Sequence, residues 1–77
     1  MITGSQVRAA KALLKWSGNV LAVKANIAIS TIRRIEAEDG VLANANIKTL
    51  SAIQKALEEG GVEFIGTPDH QPGVRLR

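Results

Sequence analysis

Arg33 and Arg34 stand side by side in the stretch "LAVKANIAISTIRRIE", residues 21–36, where the surrounding rhythm is apolar. A guanidinium carries a planar fork of N–H donors that meets a phosphate, or the edge of a guanine, with two bonds at once. Ser30, one turn upstream, adds a hydroxyl that suits either. The chemistry on offer is recognition of a polyanion. Catalysis asks instead for convergent polar groups in a pocket. The chain has one histidine, His70, alone in a turn-rich stretch, and no cysteine. It has no phosphate-cradling glycine loop and no pair of carboxylates on a buried face. The expectation is a non-enzyme with no catalytic residue, no metal ligand and no cofactor.

The charges are distributed unevenly. Residues 1–34 hold six bases and no acid, whereas residues 35–77 hold four bases and seven acids. A first half at +6 against a second half at −3 implies an anionic partner for the first half, with nucleic acid ahead of a membrane surface. The basic helix residues Arg8, Lys11 and Lys15 have no broad apolar face beside them, which counts against a membrane. No apolar run approaches the roughly 18 residues that span a bilayer. The opening "MITGSQVRAA" lacks a signal-peptide layout, so the cytoplasm is the expected compartment.

Helices must position these groups. With 77 residues, 45% of them hydrophobic and only Trp16 and Phe64 aromatic, one small aliphatic core is expected. A chain this short, with no disulfide or metal staple, often gains stability by self-association. Thr3 and Gln6 have capping-box spacing, which starts a first helix at Gly4 that ends near Lys15 or Trp16. Val7, Ala10 and Leu14 share its buried face, and Trp16 reads as a lid on the core. Ser17 caps a second helix over residues 18–25, burying Leu21 and Ala22. Asn26 tolerates the left-handed turn, Ile27 plugs the core, and a third helix covers residues 29–37, with Gly40 as its breaker. Asn46 caps a fourth helix over residues 47–59, whose apolar stripe is Ile47, Leu50, Ile53 and Leu57. Gly60 and Gly61 end it. "VEFI" and "VRLR" then alternate around the turn-rich "GTPDHQPG", as in a β-hairpin or strand pair. Residues 1–61 form the helical domain and residues 62–77 a tail.

A wheel of the third helix puts Ile32 and Ile35 on one side, with Thr31 and Glu36 at the margins. Ile29, Ser30, Arg33, Arg34 and Ala37 fall on the other. A short helix, a three- or four-residue turn and a slim basic helix meet the physical specification of a helix-turn-helix.

The same stretch resembles the helix-turn-helix of the Xre family, which includes the DNA-binding domains of phage Cro and phage repressors. That family's usual pattern runs Gln-x-x-Leu-Ala, then Gly-Val-Ser at the turn, then Ile and Glu. Leu21, Ala22, Ile27, Ile32 and Glu36 match it in type and spacing. "RAAKALLKWS", "IQKALEEGGVEFI" and "GVRLR" are similar to small bacterial regulators of the family, so the resemblance covers most of the chain. It implies a mainly α, four- to five-helix lambda repressor-like domain with a short C-terminal β-hairpin or strand pair. It implies a bacterial or phage transcriptional regulator, a repressor by preference, that reads the major groove of double-stranded DNA at the nucleoid. It also implies a semi-buried ion pair between Lys11 and Glu36; the alternative makes Lys11 part of a basic stripe with Arg8 and Lys15, which are otherwise read as solvated.

Departures from the pattern fall at the reading positions. Gly18 stands where the family has a Gln that touches phosphate, so only a backbone N–H at a helix N-terminus, next to Ser17, is left to meet one. Ala28 replaces the capping Ser of the turn, at a cost of about 1 kcal/mol. Ile29 replaces a polar residue and is suited to a thymine methyl. The expected DNA-binding residues are thus Ser17, Gly18, Ile29, Ser30, Arg33 and Arg34, with Arg33 favoured for base edges and Arg34 for phosphate. A homodimer is the expected form, with the terminal strands as its surface because they have edges to satisfy. An antitoxin-like or co-regulator module that binds another protein, with weak DNA binding, is the alternative. Val20, Val23 and Ile29, apolar where solvent or DNA is expected, motivate it.

Overall fold

Among the described residues, every helix start is a local hydrogen-bonding event that the sequence supplies, with one exception. A computed structural model of the chain describes residues 2–38, 46–67 and 70–77. Thr3 Oγ1 accepts the Gln6 N–H at 3.1 Å and Gln6 Oε1 accepts the Thr3 N–H at 2.9 Å, a capping box that opens α1 (Gly4–Leu14). Lys15 closes α1 in the left-handed region, at φ 58°. Ser17 Oγ accepts the Val20 N–H at 3.1 Å and opens α2 (Gly18–Ala25), which Asn26 closes at φ 57°. α3 (Ile29–Glu36) is the exception, because its N-cap is Ala28 and no side chain caps it. Asn46 Oδ1 accepts the Lys48 N–H at 2.7 Å and opens α4 (Ile47–Glu59).

Two strands follow, β1 (Val62–Thr67) and β2 (His70–Leu76), paired antiparallel. Val62 faces Leu76, Glu63 faces Arg75, Phe64 faces Val74 and Ile65 faces Gly73, with an irregularity between Ile65 and Thr67. The hairpin extends further into the turn-rich stretch than alternation alone suggests. Gly66, at φ 75°, makes this possible: a Cβ there would lie 2.3 Å from the Gln71 carbonyl oxygen. The result is a mainly helical fold, with four helices among the described residues and one two-stranded antiparallel sheet.

Packing follows the apolar stripes. α2 rests on α3 and α4, and α1 rests on α3 and both strands, while β1 also meets α4. Val7, Leu21, Ile32, Ile53, Leu57 and Val62 are fully buried at the junction, and each such aliphatic side chain contributes about 1.5–3 kcal/mol. The hairpin is fastened to α1 by a buried amide. Gln6 Nε2 donates to Ile65 O at 3.3 Å and to Gly73 O at 2.9 Å, while its Oε1 serves the cap.

Two expectations need correcting. Ile47 does not join the buried stripe of α4; it stands at the first helical position, past the end of the packed face, and is 74% exposed. α3 ends at Glu36, with Ala37 as its C-cap. Gly40 and most of "VLANAN" lie outside the described residues. Among the described residues, no helix is long and apolar enough to cross a membrane.

Candidate functional site

α3 divides its side chains cleanly. Ile32 and Ile35 are buried, and Ser30, Arg33 and Arg34 are exposed. Among the described residues, no acceptor engages either arginine. The other arginines with described contacts are committed. Arg75 Nε sits 2.6 Å from Glu63 Oε1, and Arg8 is held at the end of α3.

Glu36 is the sole acid of α3, and Lys11 answers it: Lys11 Nζ lies 2.6 Å from Glu36 Oε1, with both side chains mostly buried. α3 therefore brings no uncompensated negative charge to its exposed arginines. The C-terminal carbonyls of α3 point the other way, into α1. Arg8 Nη1 donates to Glu36 O and, at 3.4 Å, to Glu38 O, while Nη2 donates to Ser5 Oγ at 3.2 Å. A cation here satisfies orphan carbonyls and opposes the helix dipole. Arg8 is thus not a merely solvated base, which corrects the sequence reading. The signal was present: Arg8 and Lys11, three residues apart on one helix, share a face.

The start of α2 packs against this arrangement. A Cβ built on Gly18 would lie 3.3 Å from Ile29 Cδ1, 3.7 Å from Glu36 Oε2 and 3.8 Å from Lys11 Nζ. Ile29 is half-buried against the core rather than exposed. Its Cδ1 also lies over the bare backbone of Gly18, where even a methyl would have to push it aside by a few tenths of an ångström. Gly18 and Ile29 therefore occupy one another's space. Ser17, the neighbouring expected contact, is exposed but uses its hydroxyl as the α2 cap. The structure brings Ser30, Arg33 and Arg34 onto one exposed face, places Ser17 and Gly18 at the head of α2, and withdraws Ile29 from solvent.

Trp16 packs on the core as a lid, with Lys24 Nζ 5.5 Å from the ring centroid. Beside it is a shallow cleft of ≈ 240 Å³ lined by Trp16, Lys24, Ala56, Glu59 and Gly60. Among the described residues, no group of three or more His, Cys, Asp or Glu could hold a metal ion. No protein-family model matches the chain, and a search of curated proteins finds no match either.

Proposed function

We propose that the chain is a sequence-specific double-stranded DNA-binding transcriptional regulator that works as a helix-turn-helix, with α3 entering the major groove. The observation that carries this reading is the exposed, uncommitted pair Arg33 and Arg34 on a helix whose opposite face, Ile32 and Ile35, is buried. α2 and the left-handed turn at Asn26 present that helix, and the first 34 residues add no acid to repel a phosphate backbone. Arg33 reads base edges, Arg34 meets phosphate, and Ser30 bonds to whichever it reaches. Gly18 offers its N–H at the head of α2. Ile29, folded over Gly18, contributes less to reading than an exposed residue would.

Selection from a random duplex library tests the proposal. The expected result is an enriched inverted repeat with half-sites about 10 base pairs apart. On that site Arg33→Ala weakens binding by about 1–3 kcal/mol and relaxes preference at one position. Arg34→Ala weakens binding to all duplexes alike and lowers the salt dependence by about one counterion. A library with no enriched sequence sinks sequence-specific reading.

The second reading, a protein-interaction module, has its own observation. Val23 on α2 is 81% exposed, next to a partly exposed Val20. Val23→Gln, which adds no charge, leaves DNA affinity close to unchanged under both readings, and it weakens a stoichiometric protein complex only under the second.

A further inference from the structure

Arg8 belongs to the basic half of the chain, yet its guanidinium is spent inside the molecule. Nη1 donates to Glu36 O and, at 3.4 Å, to Glu38 O, both at the end of α3. Nη2 donates at 3.2 Å to Ser5 Oγ, one turn back on its own helix. Acceptors on two elements fix the plane of the fork, so this half-buried side chain is a strut rather than a flexible arm. Gly4 permits the close approach: with no side chain there, the first turn of α1 comes against Ile35 O and Glu38 O.

Glu36 is held at two points. Arg8 takes its carbonyl, and Lys11, one turn further along α1, takes its carboxylate at 2.6 Å. Arg33 and Arg34 lie in the same last turn of α3, three and two residues before Glu36. The rest of that helix is anchored by buried Ile32 and Ile35 and has no side-chain cap at its start. Apolar contact is non-directional, whereas a hydrogen bond resists rotation and sliding of the helix it holds. Among the described residues, the directional side-chain bonds to α3 come from α1, at this end.

We infer that Arg8 is a positioning residue, which sets the pose of the basic face of α3 without touching nucleic acid. Its consequence for binding rests on the DNA-binding reading; its action on α3 does not. Charge alone is insufficient, since a lysine keeps the charge but has no planar fork for two carbonyls and a hydroxyl. Salt separates the two roles an arginine could have here: a phosphate contact releases a counterion and a positioning contact does not.

Two measurements on the full chain, with Arg8→Met and Arg8→Lys, decide it. Residual dipolar couplings of the free protein give the orientation of α3 relative to α4 in the folded state alone. In Arg8→Met the α3 couplings are expected to turn by about 10–20° or to shrink by averaging, the tolerance beyond which a site loses its geometry, while α4 keeps the parent values. A role confined to overall stability would leave both helices as they are. The second measurement is affinity for the duplex enriched from the random library or, without enrichment, for one fixed random-sequence duplex. Arg8→Met is expected to weaken binding about three- to thirtyfold at every salt concentration with an unchanged salt slope, and Arg8→Lys to recover part of the loss. Unmoved α3 couplings overturn the inference, and so does unchanged affinity beside a moved α3. A salt slope lowered by about one and fully restored by Arg8→Lys makes Arg8 a phosphate contact and also overturns it. A parent chain that binds no duplex sinks the DNA-binding reading instead, and the couplings still decide whether Arg8 holds α3. If Arg8→Met fails to fold, Arg8→Lys carries both measurements, with smaller changes in the same direction.

Discussion

Gln6 serves three backbone groups with one amide: the Thr3 N–H, Ile65 O and Gly73 O. It is 3% exposed, so water cannot replace those bonds. Gln6→Ala is expected to cost about 2–4 kcal/mol, because it removes half a capping box and strands polar groups in the interior. Gln54→Ala, which loses only a 3.3 Å bond to Glu58 one turn away, is expected to cost less than about 0.5 kcal/mol. Urea midpoints for the two variants check the contrast. Glu63 makes a different kind of prediction. Arg75, hydrogen-bonded to its carboxylate and attracting it electrostatically, holds Glu63 below the ordinary carboxyl value of 4.5. A depressed carboxyl contributes stability that is fully present above pH 4.5 and is lost as the pH falls through the lower folded value. Glu63→Gln is expected to lose the pair's small contribution at neutral pH and to match the parent chain in strong acid. Both side chains are exposed, so the separation is slight and shrinks with salt.

At the scale of elements, α3 is, among the described residues, the one helix that begins without a side-chain cap. Ala28 has the extended backbone of an N-cap, φ −61° and ψ 141°, and is exposed. Ala28→Ser is therefore expected to stabilise the chain by about 1 kcal/mol, a rise of roughly 4–8 °C in a domain this size. Thermal melts at neutral pH check it. The other helix starts were legible in the sequence because capping is local: Thr3, Ser17 and Asn46 each bond within three residues. Asn26 was legible for a similar reason, since the left-handed turn asks something of one residue only. What a wheel could not give is the neighbour on the far side of a helix. It placed Ile29 in solvent because nothing in the periodicity of α3 reports the core it packs on or the bare backbone of Gly18. It counted Ile47 in a stripe because periodicity does not record where packing stops. It left Arg8 in water because the carbonyls it meets are 28 and 30 residues away. On the candidate face, burial of Ile32 and Ile35 and exposure of Ser30, Arg33 and Arg34 needed only the helical period.

Across the whole molecule, α1 is the shared support: it touches α3, α4 and both strands. Its first turn also lies against the end of α3 so closely that a Cβ on Gly4 would fall 2.6 Å from Ile35 O and closer still to Glu38 O. Gly4→Val is expected to unfold the chain rather than shift it. Because α2 joins the same core through α3 and α4, urea unfolding followed by circular dichroism and by Trp16 fluorescence is expected to give one coincident transition.

α3 spans eight residues, has no side-chain cap at its start and leaves its last carbonyl, Glu36 O, to Arg8 on another helix. A segment that short does not hold a helix in water by itself. The two uncommitted arginines therefore have a fixed geometry only while α1 is docked, and under the proposed function the lifetime of their face is the folded lifetime of the chain. In a cell this makes surveillance by proteases, rather than any local adjustment, the determinant of how much working surface exists. A substitution anywhere in the core that costs about 1.4 kcal/mol would raise the unfolded, degradable fraction tenfold without touching the basic face.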